Sequence, residues 1–147
     1  MAGDGAGPAS PRNVPPVARY LSREWIDELD RAASASADLR EQLTGVTLVV
    51  EHQVTGGPDG DVAYVTRIDD GRVRVRAGSS PEPDVVLVAD YDTASALARG
   101  ELNAQRAFAA GRLKVRGRID RLVAHARALG ALTAGLEAVR ETTVFDR

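Results

Sequence analysis

Apolar positions recur at helical spacing from Trp25 onward. Trp25, Leu29, Ala32, Ser36, Leu39 and Leu43 share one face at about 100° per residue. Ser22 stands just before them as an N-cap, and Glu24 places a negative charge in the first turn, where the helix dipole favours it. The pattern predicts one long amphipathic helix ending before Thr44-Gly45. Alanines and serines at 32–37 thin its buried face, which suits close packing or leaves space.

The period then falls to two. Val46, Leu48, Val50, His52 and Val54 alternate with Thr47, Val49, Glu51 and Gln53, the signature of a strand with one apolar face. After the turn Gly56-Gly57-Pro58-Asp59-Gly60, Val62, Tyr64, Thr66 and Ile68 alternate in the same way. Asp69-Asp70-Gly71 predicts a tight hairpin, and Arg72-Val73-Arg74-Val75-Arg76 a half-buried strand with valine in and arginine out. Pro81 and Pro83 interrupt. Val85 to Val88 is apolar on both faces, which predicts a central strand.

Short capped helices follow. Asp90 or Asp92 can cap a helix carrying Ala94, Leu97 and Ala98 with Gly100 as its stop. Asn103 can cap Ala104 to Ala110, stopped by Gly111. Arg112 to Arg116 alternates again and predicts a fifth strand. Asp120 is expected to cap a last helix with Leu122, Ala126, Leu129, Leu132 and Leu136 on one face. A meander of strands, then helices and one returning strand, argues an α+β fold over a doubly wound one.

Residues 1–18 are Gly-, Ala- and Pro-rich and read as a flexible arm, because they cannot bury enough apolar surface to offset ordering. Residues 19–147 read as one domain. Its apolar content of 44% supports a real core, and a net charge of −2 gives no bulk attraction to nucleic acid or anionic membrane. Aromatics at 4% are too few for base-stacking platforms. Without cysteine there is no disulfide, thiolate metal site or cysteine nucleophile. No apolar run approaches the ~20 residues of a membrane span, no signal peptide is visible, and Val144-Phe145-Asp146-Arg147 is no peroxisomal address, so the cytoplasm is the expected compartment.

No dinucleotide fingerprint, P-loop, HExxH or G-x-S-x-G motif occurs, so neither cofactor nor metal is expected. The histidines carry more interest. His52 shares the face of Leu48 and Val50, and His125 falls within the stripe of Leu122, Leu129 and Leu132, so both are expected to look inward. Each is either a buried histidine bonded to backbone, or a polar group in an apolar pocket meeting a ligand's hydroxyl or carboxylate. Acid–base catalysis is a further alternative, though neither has an orienting carboxylate nearby in sequence. Arg72, Arg74 and Arg76, and Arg112, Lys114 and Arg116, form two basic ladders: a solvated sheet face, or a dock for an anionic surface or acidic partner protein.

The run from Asp84 to Gly117 carries an apolar strand, an acidic helix start, Gly100-x-Leu102, Ala107-Phe108 and then Gly111-Arg-Leu113-Lys114-Val115-x-Gly117. This order resembles the sterol carrier protein type 2 family of non-specific lipid-transfer proteins, over roughly residues 84–135. Arg118 departs from the Asn or Asp frequent after the last glycine. The resemblance implies a five-stranded mixed, largely antiparallel sheet with helices packed on one face and an apolar tunnel between. It also implies binding of a sterol, fatty acid, acyl-CoA or similar lipid without chemistry. The positions then expected at the ligand are Trp25, Leu29, Leu48, Val50, His52, Tyr64, Leu97, Leu102, Phe108, Leu122, His125, Leu129 and Leu132. Trp25, Leu97, Phe108, Leu129 and Leu132 fit a filled core equally well. Two other readings stay open: an enzyme using His52 or His125 on a hydrophobic metabolite, and an interaction module for an acidic partner.

Overall fold

The computed structural model describes residues 18–135, 139 and 143–145, so most of the predicted arm and Leu136 lie outside the described residues. Elements follow in the order β1 (Ala18–Arg19), α1 (Arg23–Ala35), α2 (Ala37–Gln42), β2 (Thr47–Gly57), β3 (Gly60–Asp69), β4 (Arg72–Ala77), β5 (Val85–Asp90), α3 (Tyr91–Ala98), α4 (Ala104–Ala109), β6 (Leu113–Gly117), α5 (Ile119–Ala124), α6 (Ala126–Gly135) and β7 (Thr143–Val144). The main sheet is five-stranded in the order β4-β3-β2-β5-β6, and β1 pairs in parallel with β7 beside it. Only β2 with β5 is parallel within the main sheet. The fold is the expected α+β one.

Local chemistry sets most boundaries. The Ser22 hydroxyl accepts the Trp25 N–H, Asp90 accepts that of Thr93, and Asn103 accepts those of Gln105 and Arg106. Between β3 and β4 the chain turns through Asp70 at φ 50 and Gly71 at φ 90, the two left-handed residues a two-residue hairpin needs.

Three expectations change. The predicted helix over 22–43 is broken at Ser36, whose hydroxyl caps α2 by accepting the Leu39 N–H. The break lets Leu39 and Leu43 reach full burial against a second part of the core. The last helix is likewise broken, at His125, and its N-cap is Arg118, which gives no side-chain cap; Asp120 sits in the first turn instead. Finally, β5 is an interior strand, but β2 is the central one.

Strand pairing puts Leu48, Val50, His52 and Val54 of β2 in line with Ile68, Thr66, Tyr64 and Val62 of β3, and with Val85, Leu87 and Ala89 of β5. This face carries the core, in two clusters. One gathers Tyr20, Trp25, Ile26, Leu29, Val54, Tyr91 and Leu113; the other Leu39, Leu43, Leu48, Val50, Ile68, Val73, Val85 and Leu132. Each fully buried leucine or isoleucine contributes about 1.5–3 kcal/mol. Helix α1 flanks the β4 edge, where the Val75 N–H donates to Asp30. That bond occupies a group an open strand edge would offer to another chain.

Among the described residues no helix covers the opposite face. Residues 78–84 cross it from β4 to β5, held by the Ser80 N–H to Glu51, the Asp84 N–H to the Val49 carbonyl and the Val49 N–H to the Asp84 carboxylate. Glu51 is only 4% exposed. Its carboxyl is held below the usual range by bonds from the Gln53 amide and the Ser80 N–H, with burial opposing.

Candidate functional site

Every Trp, Tyr and Phe of the chain except Phe108 meets at one end of the helix-covered face. Tyr20 lies 4.9 Å from Trp25 edge-on, 5.8 Å from Tyr91 and 5.0 Å from Phe145, between ring centroids. Trp25 meets Tyr64 at 5.5 Å, and Tyr64 stacks on the His52 ring at 4.3 Å. Period-two alternation on β2 and β3 sets His52 and Tyr64 directly opposite each other on the core face. The α1 cap brings Trp25 down onto them, and its Nε1 donates to Thr143.

The polar atoms here are unusual for an apolar interior. His52 Nε2 shares a hydrogen bond of 3.2 Å with Thr66 Oγ1. Burial pushes its pKa down to about 4, with Glu51 opposing weakly, so the imidazole is neutral at pH 7. Burial also pushes the Tyr64 phenol up; for Tyr20 burial does so first, and the neighbouring Tyr64 and Tyr91 add to it. Both phenols therefore stay protonated donors. Among the described residues neither hydroxyl has a hydrogen-bond partner. Yet Ser95 Oγ is the only side-chain polar atom among them that is both sealed from water and unpartnered.

Around them, Leu87, Leu97, Leu102, Leu122 and Leu129 are only partly buried, although each packs against a core cluster. Leu87 touches both clusters. Helix α5 buries no residue and α4 buries only Ala107. The sheet half formed by β5 and β6 is therefore covered more thinly than the half formed by β2, β3 and β4.

The residues singled out in the sequence divide accordingly. Trp25, Leu29, Tyr64, Leu97 and Leu102 fall in or against the aromatic cluster, with His52 stacked beside it. Leu48, Val50 and Leu132 are sealed in the second cluster, with Leu122 and Leu129 against it. One position departs. Phe108, expected on a pocket wall, is 52% exposed, because Ala107 is the inward position of α4. His125 is partly buried, as Leu122 and Leu129 are, and forms the C-cap at which α5 breaks from α6.

Sequence reasoning passed over Tyr20, Tyr91, Phe145 and Leu87. Tyr20 sits among residues that read as a domain boundary, and Tyr91 directly follows a cap. Leu87 carried a signal, as an apolar residue midway along a strand apolar on both faces.

The site is poorly equipped for acid–base work. Glu51, next to His52, points to the opposite face, and an imidazole with a pKa of about 4 is a weak base. Among the described residues no group of three or more His, Cys, Asp or Glu could hold a metal ion, and no helix is long and apolar enough to cross a membrane.

The model of the SCP-2 sterol transfer family matches residues 26–129. The structure is similar to a crystal structure of sterol carrier protein 2, at 23% identity and TM-score 0.68, covering 84% of this chain and 98% of that one. It is similar to a conserved hypothetical protein of Thermus thermophilus considered a sterol carrier candidate, at 23% identity and TM-score 0.70, covering 88% and 93%. It is also similar to sterol carrier protein domain 2 of Helicoverpa armigera, at 25% identity and TM-score 0.53, covering 73% and 87%. No curated protein matches by sequence. At these identities the solved structures speak to the fold, and the family model to descent.

Proposed function

The chain belongs to the SCP-2 sterol transfer family, and from that premise we propose that it binds, and passes on, one hydrophobic small molecule between the sheet and helices α3 to α6. The ligand is a lipid of the sterol, fatty acid or acyl-CoA kind, held in an apolar tunnel without chemistry. The observation that carries this is the row of half-covered leucines beside two tyrosine hydroxyls that have no hydrogen-bond partner among the described residues. A filled core would have sealed the leucines and paired the hydroxyls. In this reading Leu87, Leu97, Leu102, Leu122 and Leu129 line the apolar body of the ligand. Tyr64, Tyr20 and neutral His52 meet its polar head.

The magnitudes suffice. A lipid burying on the order of 400 Å² of apolar surface gains about 10 kcal/mol gross at ~25 cal/mol per Å². Lost freedom on association removes a large share, and micromolar affinity needs about 8 kcal/mol net. The aromatic and aliphatic surroundings therefore give micromolar-class binding only if most of the ligand is enclosed.

Uptake of a fluorescent fatty acid or sterol analogue tests this. Wild-type protein is expected to take up close to one equivalent. Leu87→Trp, which would fill the proposed tunnel between the two clusters, should keep the fold and lose uptake at least tenfold. Absence of uptake by wild type sinks the proposal. So does a Leu87→Trp protein that binds normally, or one destabilised by the ~1–3 kcal/mol that overpacking a filled core costs.

A further inference from the structure

The face of the sheet opposite the core carries a recess of about 260 Å³, lined by Val65, Arg67, Arg74, Arg76, Ser79 and Ser80 among others. We propose that it binds a phosphate monoester group, presented by a small soluble molecule or by a lipid headgroup. It lies on the opposite side of the sheet from the lipid site and does not depend on that reading.

Three features of the recess point the same way. Arg67 of β3 and Arg74 of β4 are direct cross-strand partners, an arrangement of like charges that costs stability unless something neutralises it. Among the described residues Arg67 has no acidic partner. Arg74 and Arg76 share one carboxylate, Asp30, through Nε at 3.2 Å and Nη1 at 3.0 Å. Each engages Asp30 through one nitrogen, so other N–H donors of both guanidinium groups remain. The other nearby carboxylate, Glu51, is occupied by Gln53 and Ser80. Three guanidinium groups thus face one shared carboxylate at the rim and one committed carboxylate below, within a chain whose net charge is −2.

The shape sets the ligand class. The volume is just below the ~300–1,000 Å³ of drug-sized sites, so a small ester fits better than a nucleotide. Planar guanidinium groups take phosphate oxygens in pairs. The Ser79 and Ser80 side chains complete the lining on the crossover, and Val65 and Ala77 offer an apolar wall to a short carbon chain.

Titration calorimetry with inorganic phosphate and glycerol 3-phosphate, and co-sedimentation with phosphatidylcholine vesicles with and without phosphatidic acid, test the proposal. Saturable binding of the free esters at roughly millimolar affinity or tighter identifies a soluble ligand. Retention only by vesicles containing phosphatidic acid identifies the lipid headgroup. In either arm Arg67→Gln should weaken binding about tenfold, while Arg72→Gln, on the same face of β4 but outside the recess, should not. Because Arg67 is exposed, its replacement should leave the melting temperature unchanged or raised. Binding in neither arm overturns the proposal, as does equal binding by Arg67→Gln and wild type, or equal loss in both variants.

Discussion

Gly117→Ala is expected to be strongly damaging for a single-methyl change, lowering stability by roughly 3 kcal/mol or more. Gly117 ends β6 at φ 95, in the left-handed region, so any side chain there adopts a strained backbone. The strain is the smaller part. A Cβ would stand 2.5 Å from the Asp84 carbonyl oxygen and 3.4 Å from the Val85 Cα, which are backbone atoms and cannot rotate away. The same carbonyl accepts the Arg118 N–H at 2.7 Å, and the Asp84 carboxylate accepts the Val49 N–H and a bond from Arg121. Displacing Asp84 therefore disturbs β2, β5, β6 and the start of α5 together. Urea unfolding should show the midpoint shifted far down with the slope unchanged. A Gly117→Ala protein as stable as wild type would mean that Asp84 does not hold these elements together.

The second large effect concerns pH. In the folded chain His52 has a pKa of about 4, against 6.5 unexposed to the fold. The unfolded chain therefore takes up the proton first as pH falls. Stability from this residue is intact above about pH 6.5 and is lost progressively down to about pH 4, at up to ~1.4 kcal/mol per unit. Because the ring is only partly buried, the total is roughly 2–3 kcal/mol. Asp30, Glu51 and Asp90 act in the same direction but lower down. Burial by itself would raise Asp30; the Val75 N–H, Arg74 and Arg76 outweigh it. For Asp90 the Thr93 bonds dominate. Their folded values are depressed, so their stabilisation is present above the ordinary carboxylate range and lost as pH falls below it. His52→Gln retains a hydrogen-bonding group for Thr66 and removes the upper window alone. Its stability should be nearly flat from pH 6.5 to 5, where wild type declines. Parallel pH curves for the two proteins would contradict the account.

The legible part of the fold was the part fixed by neighbours in sequence. Ser22, Asp90 and Asn103 cap helices because a short polar side chain next to an apolar period has few other uses. Asp70-Gly71 turns a hairpin because few other pairs tolerate two left-handed residues. What escaped depends on contacts distant in sequence. Ser36 looks like any small helical residue until Leu39 and Leu43 must turn toward a different part of the core. Val85 to Val88 is apolar on both faces, but only the path of residues 78–84 across the sheet makes β2 the middle strand. Glu51 reads as a polar-face residue, and its burial follows from that same crossover.

The candidate site was legible by halves for the same reason. His52 and Tyr64 lie on alternating strands, and their inward direction follows from period two. Their stacking depends on β2–β3 register, which the glycines and proline of residues 56–60 do not announce, since Gly57 and Gly60 are themselves paired in the strands. Tyr20, Tyr91 and Phe145 join from a segment boundary, a helix start and the chain's end, where no periodicity points. Phe108, expected at the ligand from the family resemblance, is exposed because the short helix α4 turns Ala107 inward instead.

The central claim is an enclosed lipid, and native mass spectrometry of freshly purified protein tests it most directly. The account predicts a population heavier than the chain by the mass of one lipid, which disappears on delipidation and is absent in Leu87→Trp. A single species at the bare chain mass that stays bare after incubation with fatty acids and sterols would contradict it.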